Sequence, residues 1–356
     1  MESLSFEEKH VRLLDEFFRK NYDQNQAGVA VLIVSNDQIV YERCFGLANL
    51  QTREKLTSKT NFRLASLTKQ FTAYGILLLG EQNQLSRSDT IGRFFSEQFR
   101  EKCLFVSNHI TIQHLLDHSS GLMDYEENDL TDHDQWSDAD VLESISNQTL
   151  FPPGSQYRYS NTGYILLGLI LENVSSKRLD QFFDQYIFQP FKMTTSILYD
   201  LNKPIIPDRA LGYIKNVTTG NCELSDQSST SATCGDGGIY MSLHDYFQWY
   251  RHSQPLPTIS PFPIEQSTSS RYFYHFGWFL SDSTGEIRLH TGNSCGFTHQ
   301  VFRIDDEQRK ILVLYLTNLG NHGEQIRKFN QFLIENVRPL NPKNTNLLWE
   351  MERLTR

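Results

Sequence analysis

No apolar run in the 356 residues approaches the roughly 20 that a bilayer-crossing helix needs, so the sequence offers no membrane span. Basic residues are in deficit: 33 Lys and Arg stand against 42 Asp and Glu, and no basic stripe breaks a net charge of -9. Nucleic acid is thereby excluded as the main partner, because a phosphate backbone calls for a basic face. Cysteine is scarce, and Cys44, Cys103, Cys222, Cys234 and Cys295 fall in no metal-ligand spacing. They read as free thiols in a reducing compartment, with Cys222 to Cys234 the one pairing left open, and no cofactor is implied. The first residues lack the basic start, apolar middle and small-residue cleavage site of an export signal, which points to the cytoplasm as the sequence stands and to the periplasm or secretion if a leader was removed. No internal repeat is present.

What is there is an ordinary globular composition, with a chain long enough for a two-lobed body and an ample core. Residues 7–18 carry Val11, Leu14, Phe17 and Phe18 at helical spacing. Residues 29–34 and 38–43 read as strands around an Asn36-Asp37 turn. Between residues 77 and 199 the pattern is helices joined by polar loops, at 111–116 with Thr111 as its cap, at 161–174 and at 179–188. Strands return after Pro204, at 276–280, 286–290, 297–304 and 310–317, and a last amphipathic helix spans 324–337. The first hairpin is too small to stand alone, so it is expected to join the C-terminal strands in one antiparallel sheet covered by the first and last helices. The fold class is therefore α+β. A sheet lobe is built from residues 1–76 and 200–340, a mainly helical lobe from 77–199, and 341–356 form a polar tail. The acidic run over residues 124–140 reads as a solvated loop, with a rim that attracts cationic substrates as the alternative.

The chemistry centres on Ser66-Leu67-Thr68-Lys69. Leu67, Phe71 and Leu78 recur at helical spacing, so a helix is expected to open here with Ser66 in its first turn, where backbone N–H groups and the helix dipole converge. Lys69 lies one turn on and on the same face, which puts a base beside a nucleophile. An amine serves as a base near neutral pH only if burial or a neighbouring cation lowers its pKa from about 10.4. Two further stretches accompany this one: Tyr159-Ser160-Asn161, closing a Pro/Gly loop before a helix, and His290-Thr291-Gly292, at the end of a predicted strand.

Ser-x-x-Lys, Tyr-Ser-Asn and His-Thr-Gly in this order resemble the serine β-lactamase and penicillin-binding protein superfamily. The tyrosine, where a sibling pattern has Ser-Asp-Asn, is similar to the class C β-lactamase and D-alanyl-D-alanine carboxypeptidase branch, peptidase family S12. The phrases Leu115-Leu-Asp-His-Ser-Ser-Gly-Leu122, Asn161-Thr-Gly-Tyr-Ile-Leu-Leu-Gly168 and Gly237-Gly-Ile-Tyr-Met-Ser-Leu-His-Asp245 extend the resemblance over nearly the whole chain. It implies a β-lactamase/transpeptidase-like fold with the site between sheet and helical lobe. It also implies an acyl-enzyme on Ser66, proton transfer through Lys69 and Tyr159, and an oxyanion hole from the N–H groups of Ser66 and Asn293. Asn161 would hold Lys69 and the substrate amide, and His290, Thr291 and Gly292 the far wall. The implied partner is a small-molecule or peptide substrate, of D-amino-acid peptide or small-ester class, with β-lactams as possible acylating ligands. A class C-like β-lactamase and a non-catalytic binding protein on the same fold are the alternatives. Nothing in the sequence speaks to the oligomeric state. The histidine at 290 departs from the lysine typical of the β-lactamases. With an ordinary pKa near 6.5 it is expected to gain charge, and favour substrate carboxylates, as pH falls toward 6.

Other patterns read as structural. Gly292-Asn-Ser-Cys-Gly296 matches a nucleophile elbow followed by Asp305 and His322, but the elbow needs a helix after it and residues 297–304 read as strand. His114 and His118 share a helical face without a third ligand. Trp278 and the aromatic cluster at 246–250 read as core.

Overall fold

A computed structural model describes residues 6–128, 134–202, 204–253, 261–264 and 272–337. Among these, eight antiparallel strands form the main sheet, in the order Phe262–Pro263, Phe273–His275, Trp278–Leu280, Ile287–Ser294, Phe297–Asp305, Lys310–Thr317, Val29–Ser35 and Gln38–Phe45. The N-terminal hairpin does join the C-terminal strands: Val29 pairs with Thr317 and Ser35 with Ile311. Every residue from Val29 to Val34 is buried, the signature of a central strand covered on both faces.

On one face the first helix, Glu8–Asn21, packs against the last, Gly323–Asn336, through Phe17 on Phe332 and Phe18 on Phe329, with ring centroids 4.7 and 5.2 Å apart. On the other lies the helix Lys69–Glu81, whose Phe71 ring stands 4.1 Å from Trp249. Between Phe62–Arg63 and Ile197–Leu198 the described residues hold helices and no named strand, the longest being Asn161–Ser175. No helix among the described residues is long and apolar enough to cross a membrane. The tail beyond residue 337 and residues 129–133 of the acidic run lie outside the described residues.

Three local expectations are corrected. Ser66 stands in a 3₁₀ turn, Ala65–Thr68, immediately before the α-helix, with Ala65 at a positive φ of 50°. This turn connects the short strand Phe62–Arg63 to the helix. His290-Thr291-Gly292 sits within its strand, which runs on to Ser294 because it pairs with Phe297–Asp305 along its whole length. The described part of the acidic run is only partly a solvated loop: Glu126, Glu127 and Asp134 are exposed, but Asp124 and Trp136 are buried, and Ser137 caps a helix over Asp138–Ser144 in which Asp138 is half-buried. All five cysteines are free, so Cys222 and Cys234 are unbridged.

Candidate active site

Lys69 is fully buried, and three acceptors hold its amine: Ser66 Oγ at 3.1 Å, Asn161 Oδ1 at 2.7 Å and the Asp236 carbonyl at 3.1 Å. The amine also lies 4.9 Å from the centre of the Tyr159 ring. Ser66, Lys69, Tyr159 and Asn161, which sequence spacing singled out, thus meet at one point although they come from two separate segments. Ser66, Tyr159 and Asn161, together with Thr291 and Asn293, line a cavity of about 210 Å³.

Each side chain is placed by local structure. Ser160 caps the helix Asn161–Ser175 by accepting from Gly163 N–H at 3.2 Å, which fixes Asn161 in the first turn. Asp124 reaches the same turn and accepts the Asn161 N–H through its carboxylate. A negative group at a helix N-terminus is favourable with both the free donors and the dipole. His118 supports the loop from beneath: its Nδ1 accepts from Ser160 N–H at 3.0 Å and its ring lies 4.3 Å from that of Tyr159. Burial keeps His118 neutral, well below the usual histidine range, as an accepting nitrogen requires. Its pairing with His114 along the sequence is therefore a matter of packing.

The Tyr159 hydroxyl is buried and closes no hydrogen bond of ordinary geometry. Burial raises its pKa, while Lys69 and Ser66 draw it back down. The phenol therefore keeps its proton at neutral pH and has one to donate.

The strand Ile287–Ser294 pairs on one side with Phe297–Asp305 throughout, but with Trp278–Leu280 only at Leu289 and Arg288. Beyond that point its free edge runs beside the Ser66 turn. A Cβ placed on Gly292 would stand 2.3 Å from the Leu64 carbonyl, so only glycine allows the approach. Alternate N–H groups of the free edge have no ladder partner on that side. Asn293 lines the cavity there, while Gly292 acts by letting the strand come close.

His290 is placed differently from the far-wall position. It is fully buried and does not line the cavity. Nδ1–H donates to the Thr291 carbonyl at 2.7 Å, which leaves Nε2 to accept from the Tyr274 hydroxyl at 3.2 Å. Burial first, and Lys69 second, push it down to about 3. It is neutral from pH 6 to 8, and the pH-gated cation expected from the sequence is not available. Ser294 is a wall residue and not an elbow nucleophile, as its sequence context indicated: it lines the cavity, and the chain turns back at Cys295 into the strand Phe297–Asp305 and not into a helix.

Four ionisable residues on the cavity wall were missed: Arg63, Tyr125, Glu126 and Asp236. Arg63 stands just before the nucleophile and Asp236 just before Gly237-Gly238, and only the paired strands Phe62–Arg63 and Ile239–Met241 bring them together. Glu126 is exposed as a residue at the mouth. Partial burial of its carboxyl, with Asp124 and Asp236 adding repulsion, pushes it up to about 7.

The fold is shared with known proteins. The family model described as Beta-lactamase matches residues 12–334. The chain is 30% identical over 336 residues to Penicillin-binding protein 4* of Bacillus subtilis, covering 87% of this chain and 71% of that protein. Across the curated relatives compared, the chain spans 64 to 71% of their length. Among solved structures, a penicillin-binding protein from Bacillus halodurans superposes with a TM-score of 0.74 at 23% identity, over 92% of this chain and all of that one. D-amino acid amidase from Ochrobactrum anthropi SV3, complexed with D-phenylalanine, gives 0.69 at 19% identity over 91% of this chain and 98% of its own. With its sheet, its helices and its Ser66 turn arranged in this way, the chain belongs to the Beta-lactamase family, a family of serine hydrolases.

Proposed function

We propose that the protein hydrolyses D-amino-acid peptides or small esters through an acyl-enzyme on Ser66. The observation that carries this reading is the 3.1 Å hydrogen bond between Lys69 Nζ and Ser66 Oγ at the edge of an open cavity. In its neutral form Lys69 takes the Ser66 proton as Oγ attacks the carbonyl carbon. The carbonyl oxygen becomes an anion facing the N–H groups of Ser66 and Asn293, each such donor being worth roughly 3 to 4 kcal/mol. Tyr159 protonates the leaving amine or alkoxide as the tetrahedral intermediate collapses, and recovers its proton through Lys69. The same pair then deprotonates a water that attacks the ester of Ser66 and frees the acid. Asn161 holds Lys69 in line and presents its amide to the acyl group. The amidase among the structural neighbours supports an amino-acid acyl group.

A β-lactam places a strained amide in the same position and would acylate Ser66. A pure binding role is disfavoured because Ser66, Lys69, Tyr159 and Asn161 are all present and brought together. Hydrolysis of an activated ester tests the proposal: Ser66→Ala should remove it, and Lys69→Met should cost at least about 10³-fold in kcat/KM, as loss of a general base and its charge does. Turnover persisting in Ser66→Ala would contradict it.

A further inference from the structure

The cavity wall contains two opposite charges that do not satisfy each other. Arg63 is 2% exposed and Asp236 6% exposed, and both line the cavity beside Ser66. Nε and Nη1 of Arg63 and Oδ1 of Asp236 are buried with no hydrogen-bond partner, so no hydrogen bond joins the two side chains at those atoms. The Arg63 guanidinium lies 5.9 Å from the ring centres of both Tyr199 and Tyr240, which orient it without satisfying its donors. Keeping a buried guanidinium and a buried carboxylate with open positions is costly unless something fills them. No other cation on this wall can serve: Lys69 spends its amine on three acceptors, and His290 is neutral and turned away.

We propose that Arg63 and Asp236 select substrates that carry both a free carboxylate and a free ammonium, that is, short unblocked peptides, with the carboxylate on Arg63 and the ammonium on Asp236. This rests on the hydrolase reading of the same site and names its substrate class. A ligand of this kind leaves the cavity's charge balance unchanged and fills both sets of open positions at once. A lone carboxylate would leave Asp236 open and face Glu126 at the mouth. A lone ammonium would leave Arg63 open.

Calorimetric binding to the Ser66→Ala protein reads the pair without turnover, so a failure here is distinct from a failure of Ser66-dependent ester hydrolysis. The probes are a dipeptide of D-alanine with both ends free, its N-acetyl form, its C-terminal amide and the doubly blocked form. Blocking either end should weaken binding about 10- to 100-fold, the scale of a hydrogen bond to a charged group. In the same background Asp236→Asn should erase the preference for a free amine and keep that for a free carboxylate, and Arg63→Gln should do the reverse. Arg63→Lys, which keeps the charge, should retain part of the carboxylate preference. Four forms binding within about threefold of one another, or variants that weaken all four equally, would show a water-bridged structural pair and overturn the proposal.

Discussion

An amine removed from water is kept in place by other polar atoms, and the Lys69 amine has three within hydrogen-bond distance: Ser66 Oγ, Asn161 Oδ1 and the Asp236 carbonyl. Two of those partners were legible from local spacing, because Ser-x-x-Lys and Tyr-Ser-Asn each put their chemistry on one short segment. The third, and the charges of Arg63 and Asp236, were not, since strand pairing between distant segments decides which residues face a cavity. The same limit explains His290. Its residue type suggested a titrating cation, but burial and two neutral hydrogen bonds take that role away. Glu126, pushed up to about 7, is the group at the mouth that changes charge between pH 6 and 8. As pH falls it loses its negative charge, so the ratio of kcat/KM for a carboxylate-bearing ester over a neutral one should rise toward pH 6. That rise should disappear in Glu126→Gln. A rise that survives in Glu126→Gln and vanishes in His290→Gln would restore His290 as the switch.

At the level of elements, the site is an agreement between two helix starts and one strand edge. The helices at 69–81 and 161–175 present Lys69 and Asn161 from their first turns, and the edge of Ile287–Ser294 closes the cavity where Gly292 permits contact with Leu64. Helical periodicity marked the helices well. The 3₁₀ turn at Ser66 was hidden, because it depends on the left-handed Ala65 and the strand before it and not on a repeat. The acidic run misled, because composition alone does not reveal that Asp124 folds inward onto the Asn161 helix. Asp124→Ala should therefore lower kcat/KM for an activated ester about tenfold, in keeping with the roughly 1 to 2 kcal/mol of a lost helix-terminus acceptor. Asp124→Asn, which keeps an acceptor oxygen, should recover part of the loss. Steady-state kinetics equal to wild type for the alanine variant would show that Asn161 is positioned without it.

Across the whole molecule, the sheet is closed by residues far apart in sequence, and its assembly followed from one fact readable in the chain, that the first hairpin could not stand alone. The sheet is tied to the Ser66 turn by His299, whose Nε2–H donates to the Arg63 carbonyl at 2.6 Å while Nδ1 accepts from Thr317 N–H at 3.2 Å. The accepting nitrogen requires a neutral ring, and burial pushes His299 down to about 4. The unfolded chain binds this proton near 6.5, so the native state loses stability as pH falls from about 6.5 toward 4. Between pH 7.5 and 5, urea unfolding should cost wild type about 2 kcal/mol more than His299→Gln, whatever the variant's absolute stability. An equal loss in both proteins would mean that His299 takes up its proton in the fold.

The central claim, that Ser66 becomes covalently acylated, is tested most directly by intact-protein mass spectrometry. Wild type and Ser66→Ala would be incubated with a penicillin and with an activated ester and sampled over time. A mass increase equal to the acyl group of the ester, or to the whole penicillin, is expected in wild type only. The ester adduct should clear and the penicillin adduct should persist. Rapid clearance of penicillin would instead make the protein a β-lactamase. No adduct from either reagent, or the same adduct on Ser66→Ala, would contradict an acyl-enzyme at Ser66.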